Sequence, residues 1–382
     1  MITPQTPEEL ADVLRRWALH ERAMALVGAG SKRLMAGPVE AADECVSTAA
    51  MNHVLEYEPQ DLTISVEAGL PWRELKRTVA ENRQMVPLDP PFSDRATVGG
   101  VVASNSSGPR RLLYGTARDM VIGMRFATLE GKLVESGGMV VKNVAGLDMA
   151  KLMIGSFGTL AAVAVVNFKL TPAPEVERSF LLPFDSPESA VSARNRVLNG
   201  PLQPAAVDVL NPGAGATLGN RAWLLAVRAA GNPAAIDRAE HDLAVLAEGV
   251  AFDGDRHETL WRHVQEFTPQ FLARHPDGAV VRVSCTLKEL GAVMESFAGP
   301  AVARAGSGVC YGYFEQTEAA AGWLAEAVRR GWKAVIEFSP EERKPVLDLW
   351  PAPGGDLEIM LRVKHLFDPS NLLNRGRLYR RI

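Results

Sequence analysis

Residues 155–159, Gly155-Ser156-Phe157-Gly158-Thr159, stand between a short apolar helical stretch (DMAKLMI) and the β-rich run AAVAVVNFKL. A helix C-cap followed by a tight turn uses one glycine. The second glycine and the two hydroxyls predict a backbone closely approached by something that accepts hydrogen bonds. Two other places within the first 160 residues have the same make-up: Gly28-Ala29-Gly30-Ser31 after the strand candidate AMALV, and Thr97-Val98-Gly99-Gly100 with Ser104-Asn105-Ser106-Ser107-Gly108. Each alone reads equally as a simple turn or a flexible surface loop. Three of them, each beside a predicted strand or helix end, point to one long phosphate-bearing ligand gripped at several points. At the first, N–H groups around Gly28 to Ser31 would converge on a phosphate as a nest, with Lys32 either adding charge or solvated. A GxGxxG dinucleotide fingerprint is rejected there, because its third glycine falls at Arg33 and no long helix clearly follows.

The rest of the composition narrows the partners. A chain of 382 residues has material for two or three domains. Its net charge of −4 argues against nucleic acid. No uninterrupted apolar run is long enough to span a membrane, and MITPQTPEEL lacks the basic and apolar regions of a signal peptide. A cytoplasmic location is expected, peripheral at the inner membrane if partner subunits dock there. Cys45, Cys285 and Cys310 form no CxxC pair, so neither a zinc site nor an iron–sulfur cluster is encoded locally, and no metal site is expected. His257 and His263 lie six apart, a spacing that does not share a helical face, and read as packing or solvated residues.

Along the chain, Thr6-Pro7 with Glu9 predicts a capped first helix. ECVST is a second short strand, and a hairpin turns around Glu58-Pro59-Gln60-Asp61. Pro71 begins the helix PWRELKRTVAENR, and PLDPPFSDRATVGGVVASNSSGPRRLLYG reads as a long functional loop. A second hairpin has Glu130-Gly131 at its tip, and TPAPEVER marks a boundary. Beyond it, SFLLPF, a helix from Ser186-Pro187, AAVDVL, RAWLLAVRAAG and the helix NPAAIDRAEHDLAVLAEG give β-α-β-β-α. A similar order recurs from AVVRVSC to WKAVIEF, and two such halves suggest one ferredoxin-like cap domain. The tail from DLEIMLRVKHLF closes with a helix and a loop.

The order of GAGSK, PLDPPFSDRATVGGVVASNSSGPRRLLYGTARDMVIGM, KNVAGLDMAKLMIGSFGTL and FDPSNLLNRGRLY resembles the PCMH-type FAD flavoproteins of the vanillyl-alcohol oxidase superfamily. VVKNVAGLDMAKLMIGSFGTL is similar in particular to the flavin subunits of bacterial glycolate oxidase complexes. The resemblance covers roughly residues 5–172 and 357–379. It implies an α+β chain with a two-part FAD domain at 1–172, a smaller α+β ferredoxin-like cap at 173–342, and a C-terminal segment, 343–382, that completes the FAD domain. It also implies roles by position. Gly28, Ala29, Gly30 and Ser31 would hold the pyrophosphate, with Thr97, Gly99 and Gly100 opposite. Ser104, Asn105 and Gly108 would lie near the flavin ring. Gly155, Ser156, Gly158 and Thr159 would close on the ribityl and phosphate region, with Val163 or Val165 on the adenine side. The loops contain no histidine or cysteine, so noncovalent FAD is expected.

Two departures bear on activity. Hydroxy-acid dehydrogenases of this group carry a GDGNLH segment whose histidines help hold a metal. The corresponding strand here, AGSGVCYGYF (305–314), has none, and the usual NPGK of the tail is Asn374-Arg375-Gly376-Arg377. Metal-assisted deprotonation of the substrate therefore lacks its ligands, and no catalytic base is assigned. Arg375 or Arg118 could clamp a carboxylate, while Tyr311 and Tyr313 read as strand packing. The resemblance implies an FAD-carrying subunit taking part in oxidation of glycolate or a similar 2-hydroxy acid to glyoxylate or its 2-oxo counterpart. A related flavin subunit and an iron–sulfur subunit would be its partners. The alternatives are a self-sufficient FAD-dependent 2-hydroxy-acid dehydrogenase and a non-catalytic flavin-binding structural subunit.

Overall fold

A computed structural model describes residues 1–139 and 147–382. The VVKNVAG part of the motif discussed above, residues 140–146, lies outside the described residues. The chain divides into two compact units, one of residues 1–107, 115–173 and 352–382, the other of 108–114 and 174–351.

The first unit begins with the helix Pro7–Leu19, capped by Thr6, whose Oγ1 accepts the Glu9 N–H at 3.1 Å. The expected reciprocal bond is displaced by one residue: the Glu9 carboxylate accepts the N–H of Gln5, not of Thr6, at 2.8 Å. Strands β1 (Met24–Val27) and β2 (Glu44–Ser47) pair in parallel. Isolated bridges from Ile2 to Val46 and from Met24 to Leu373 widen this pair at both edges, so the returning tail lies directly beside β1. A five-stranded antiparallel sheet runs in the order β3-β4-β8-β6-β7, where β3 is Val54–Glu58, β4 Thr63–Glu67, β6 Val121–Ala127, β7 Leu133–Gly137 and β8 Ala162–Lys169. Short β5 (Gln84–Met85) and β9 (Thr171–Pro172) pair beside it. The strand β8 is buried almost throughout, which explains why AVAVVNFK reads as a continuous apolar run with no alternation.

Part of the long loop proves to be a helix, Val98–Ala103. Its glycines and valines carry little helix propensity. It forms because the Thr97 side chain caps the Gly100 N–H and because Val98, Val101 and Val102 are fully buried.

The second unit is built on one eight-stranded antiparallel sheet. Its strands are β10 (Val176–Phe184), β11 (Ala206–Leu210), β12 (Trp223–Gly231), β13 (Val250–Phe252), β14 (Ala279–Ser284), β15 (Ala301–Arg304), β16 (Val309–Phe314) and β17 (Lys333–Phe338). The spatial order is β13-β10-β12-β11-β15-β16-β14-β17. Each half is a complete β-α-β-β-α-β unit, and the two halves share one continuous sheet, joined where β11 meets β15 through Asp208↔Arg304 and Leu210↔Val302. β13 and β15 complete the repeat; at three and four residues they are too short to show a strand period in sequence. Helices Pro187–Asn199, Pro233–Ala244, Leu290–Glu295 and Thr317–Arg329 cover one face, and Val207, Val209, Leu225, Val281 and Ile336 point into that core. The alternate residues Ser179, Asp208, Arg228, Arg282, Arg304, Tyr311, Tyr313 and Glu337 make the other face polar. Residues 343–351, expected in the C-terminal segment, belong to this unit, because Leu349 is buried in its core and its carbonyl accepts the Ile336 N–H at 2.9 Å.

Candidate functional site

In the first unit the end of β1, the helix Val98–Ala103 and the turn at 155–159 surround a groove of about 430 Å³. Of the residues singled out from sequence, Gly28, Gly99, Gly100, Gly158 and Val163 line it, together with Thr48, Phe157 and Asn374. Gly28 is there for space: a Cβ on it would overlap Thr97 Oγ1, the atom that caps the helix. Among the described residues, the N–H groups of Gly28, Ala29, Gly30 and Ser31 donate to no protein acceptor, which leaves four adjacent donors at the end of a strand. Asn105, held at φ 48°, buries its Oδ1 without a hydrogen-bond partner. A buried polar atom left open in this way fits a ligand with a donor to offer.

The turn at 155–159 works differently from the expectation. All five of its N–H groups already have protein acceptors: Gly155 on Val102 O, Ser156 on Met153 O, Phe157 on Ala103 O, Gly158 on Ser156 Oγ and Thr159 on Ser156 O. Thr159 Oγ1 donates to Ser156 O at 2.7 Å, so both hydroxyls are used in shaping the turn. Gly155 and Gly158 sit at φ +83° and +70°, which side-chain-bearing residues adopt only under strain. The turn offers the groove a shape, through Phe157 and Gly158, and not a set of donors. Ser104 is likewise engaged, donating to Gly100 O at 2.6 Å and meeting Ser106 Oγ at 2.7 Å. Val165 packs in the core behind the helix Pro7–Leu19 and does not line the groove. Gly108 opens the short segment 108–114 that belongs to the second unit.

Sequence reading missed two residues that hold the groove together. Asn374 Oδ1 accepts the Leu26 N–H at 2.7 Å, and its Nδ2 donates to Phe157 O at 2.7 Å, so one tail side chain ties β1 to the turn. Lys364, only 3% exposed, donates to Thr159 O at 2.7 Å, Leu373 O at 3.0 Å and Asp368 Oδ2 at 2.6 Å. Asp368 in turn accepts the N–H groups of Leu372 and Leu373. The substitution Asn374→Ala is expected to cost about 1–3 kcal/mol, since it leaves buried partners unpaired, and urea unfolding of the full chain measures it. Arg375, considered above as a carboxylate clamp, instead donates to Glu40 O at 3.0 Å and Ala41 O at 2.5 Å. Arg118 donates to Lys151 O at 2.8 Å, while its neighbour Asp119 accepts the Thr116 N–H. Lys32 is buried, not solvated.

In the second unit the polar sheet face carries two groups of charges. Arg282 stands opposite Tyr311 in register, 3.8 Å from Glu337, and remains partly exposed. Arg304 pairs with buried Asp208 and lies under the Tyr311 ring. Tyr313 is buried against Phe267 and Phe271 and bonded to Thr268 at 3.0 Å, the packing role expected for it; burial pushes its phenol above its usual range.

The other group centres on Glu177, gripped by the Arg228 fork at 2.8 and 2.7 Å, with Arg110 and His257 each 3.8 Å away. Ser179 Oγ meets His257 Nδ1 and the Trp261 N–H, both at 2.7 Å. Glu177, His257 and Glu258 bring three potential metal ligands together, but the Arg228 fork makes this an ion-pair cluster first. Burial raises the Glu177 carboxyl, and its bonds and attraction to His257, Arg228 and Arg110 outweigh that, holding it below its ordinary 4.5. A depressed folded value means the stabilisation is fully present above pH 4.5 and is lost as pH falls toward the folded value. Glu177→Gln is therefore expected to destabilise by about 3 kcal/mol at neutral pH. The gap to the native chain should narrow steadily below pH 4.5 in thermal melts across pH.

Residues 1–137 match the family described as "FAD binding domain", and 352–378 match "FAD linked oxidases, C-terminal domain". The groove is built from these two segments together with 155–163. The fold is that of alkyldihydroxyacetonephosphate synthase (TM-score 0.74, 19% identity, covering 97% of this chain and 75% of that one). It is also that of substrate-bound p-cresol methylhydroxylase (TM-score 0.75, 17% identity, covering 98% and 87%). These matches, with the shared fold, support a PCMH-type FAD flavoprotein with FAD as its cofactor. Over 157 residues it is 34% identical to glycolate oxidase subunit GlcE of Escherichia coli (strain K12), covering 41% of this chain and 44% of that one. Over 185 residues it is 35% identical to D-2-hydroxyglutarate dehydrogenase of Xanthomonas citri pv. viticola, covering 48% and 39%. It thus spans less than half the length of either relative.

Proposed function

We propose that this chain is the FAD-carrying subunit of a glycolate-oxidising complex, taking part in oxidation of a 2-hydroxy acid and passing the electrons to partner subunits. The observation that carries the reading is the groove of the first unit, lined by Gly28, Gly99, Gly100 and Gly158, with the N–H groups of Gly28 to Ser31 that have no acceptor among the described residues following from the end of β1. The similarity to glycolate oxidase and hydroxy-acid dehydrogenase chains supports the substrate class. Gly28, Ala29, Gly30 and Ser31 would donate to the pyrophosphate. Thr97 would act by holding the cap that leaves Gly99 and Gly100 against the ligand. Phe157, Gly158 and Val163 would shape the space around it, and Asn105 would accept from the cofactor. When bound, FAD supplies the two-electron acceptor for converting a 2-hydroxy acid to a 2-oxo acid.

In the second unit, Arg282 and its cross-strand neighbour Tyr311 are the groups suited to a carboxylate, a guanidinium being able to grip both oxygens. Charged groups of this kind orient a substrate without supplying a base, and none of the side chains is assigned that role. The reading is tested by adding glycolate anaerobically to the FAD-loaded chain, alone and with its partner subunits. Bleaching of the flavin band only with partners present supports it. Bleaching by the chain alone would make it a self-sufficient dehydrogenase. A flavin that stays oxidised in the working complex would make it a structural subunit.

A further inference from the structure

Two thiols and a buried cation meet where β14 ends beside β16. Cys285 follows β14 and its N–H donates to Gly308 O at 2.9 Å; Cys310 lies on β16, in register with Val283. The register makes the two cysteines diagonal cross-strand neighbours, and their Sγ atoms are 3.9 Å apart. Cys310 is fully buried in the core beneath the helices, whereas Cys285 is half-buried. The helix Pro187–Asn199 delivers Arg194 to the same place, fully buried. Its Nη1 donates to Ala305 O at 2.8 Å and its Nη2 to Leu287 O at 2.7 Å. Nε has no partner, and among the described residues no carboxylate pairs with this guanidinium. A buried cation without a counter-ion is costly. Here the groups able to answer its charge are the two sulfurs.

We propose that Cys285 and Cys310 are a reversible dithiol–disulfide couple, with Cys285 the thiol that reacts with peroxides and Cys310 the one that resolves it. The division of roles follows from position. Cys285 is the thiol a small oxidant can reach, and its Sγ lies within hydrogen-bonding distance of the fully buried Cys310 Sγ. That hydrogen bond, with help from Arg194, holds the Cys285 thiol below its ordinary 9.0, while the same bond and burial push Cys310 well above it. In the first step the Cys285 thiolate attacks one oxygen of hydrogen peroxide, the O–O bond breaks, and hydroxide leaves to become water. In the second, the Cys310 sulfur attacks the sulfenic sulfur of Cys285, the S–O bond breaks, and water leaves with the Cys310 proton. The net change is two thiols and one peroxide to one disulfide and two waters. Closing the sulfurs from 3.9 Å to the ~2.05 Å of a disulfide requires side-chain rotation and a small approach of the two strand ends.

The test treats the full chain with hydrogen peroxide and maps it by mass spectrometry without reduction. The expected product joins the tryptic peptides Val283–Lys288 and Ala305–Arg329, is undone by dithiothreitol, and forms equally in Cys45→Ser. In Cys310→Ser, Cys285 should stop at a dimedone-trappable sulfenic acid; in Cys285→Ser, Cys310 should stay reduced. Before oxidation, Cys285 should be alkylated about tenfold faster than Cys45, whose thiol burial pushes upward. Over-oxidation of Cys285 with no linked peptide in the native chain would overturn the proposal. So would a chain whose exposed methionines oxidise while both thiols remain free.

Discussion

Gly28→Val is expected to yield a folded chain whose binding of FAD is markedly weakened. The Cβ of any residue at 28 overlaps Thr97 Oγ1, and the branches of valine extend the overlap into the groove wall. Thr97 cannot give way without losing its bond to the Gly100 N–H, which caps the helix Val98–Ala103. The substitution therefore moves the N–H groups of residues 28–31 away from one side of the groove and the helix from the other. Overpacking of this kind costs about 1–3 kcal/mol. If that strain is relieved only by disrupting the bound geometry, the loss of affinity is roughly 5- to 150-fold. Equilibrium dialysis of the apoprotein against FAD measures it. Gly30→Ala is the control: nothing lies within 4 Å of its Cβ, so it should bear only the strain of φ +67°, with a much smaller effect on FAD. Equal losses in the two variants would mean that backbone conformation, and not the space at Gly28, governs binding.

Lys364→Met should have the largest effect on stability. It removes the cation from a buried pair and leaves Asp368 facing a low-dielectric interior with Thr159 O and Leu373 O unpaired. Breaking a buried pair on one side costs about 3–5 kcal/mol, readable as a lower urea midpoint. The double variant Lys364→Met, Asp368→Leu should recover part of that loss, because no charge is then stranded. Since Lys364 holds the tail that supplies Asn374, FAD retention should fall with stability in the single variant. If the single variant is as stable as the native chain, the tail is not what fixes the turn at 155–159.

What sequence reasoning could see and what it could not separate along physical lines. Local signals were legible: Thr6-Pro7 and Ser186-Pro187 as helix starts and the hairpin at 58–61. The family resemblance also anticipated a tail that returns, and Met24 does bridge to Leu373. Missed were interactions made over long separations, which leave no periodicity. Asn374 meets Leu26 across 348 positions and Lys364 meets Thr159 across 205. In the sequence Lys364 looks like any basic residue in the last turn of a surface helix. The GSFGT turn misled because hydroxyls and glycines signal both ligand contact and turn construction. There the backbone acceptors Val102 and Ala103, fifty residues earlier in the chain, take the N–H groups first. The short strands β13 and β15 were invisible for another reason: they exist because the sheet has an edge to fill and a seam to close.

The central claim is that the first unit holds FAD noncovalently through the strand end at Gly28 to Ser31. Its most direct test is the absorbance spectrum of the purified chain after FAD is added and excess removed by gel filtration, followed by acid precipitation. The account predicts flavin bands at one FAD per chain, with all of the flavin released to the supernatant. Flavin that stays with the precipitate would contradict the noncovalent reading, and a colourless chain despite supplied FAD would contradict the claim itself.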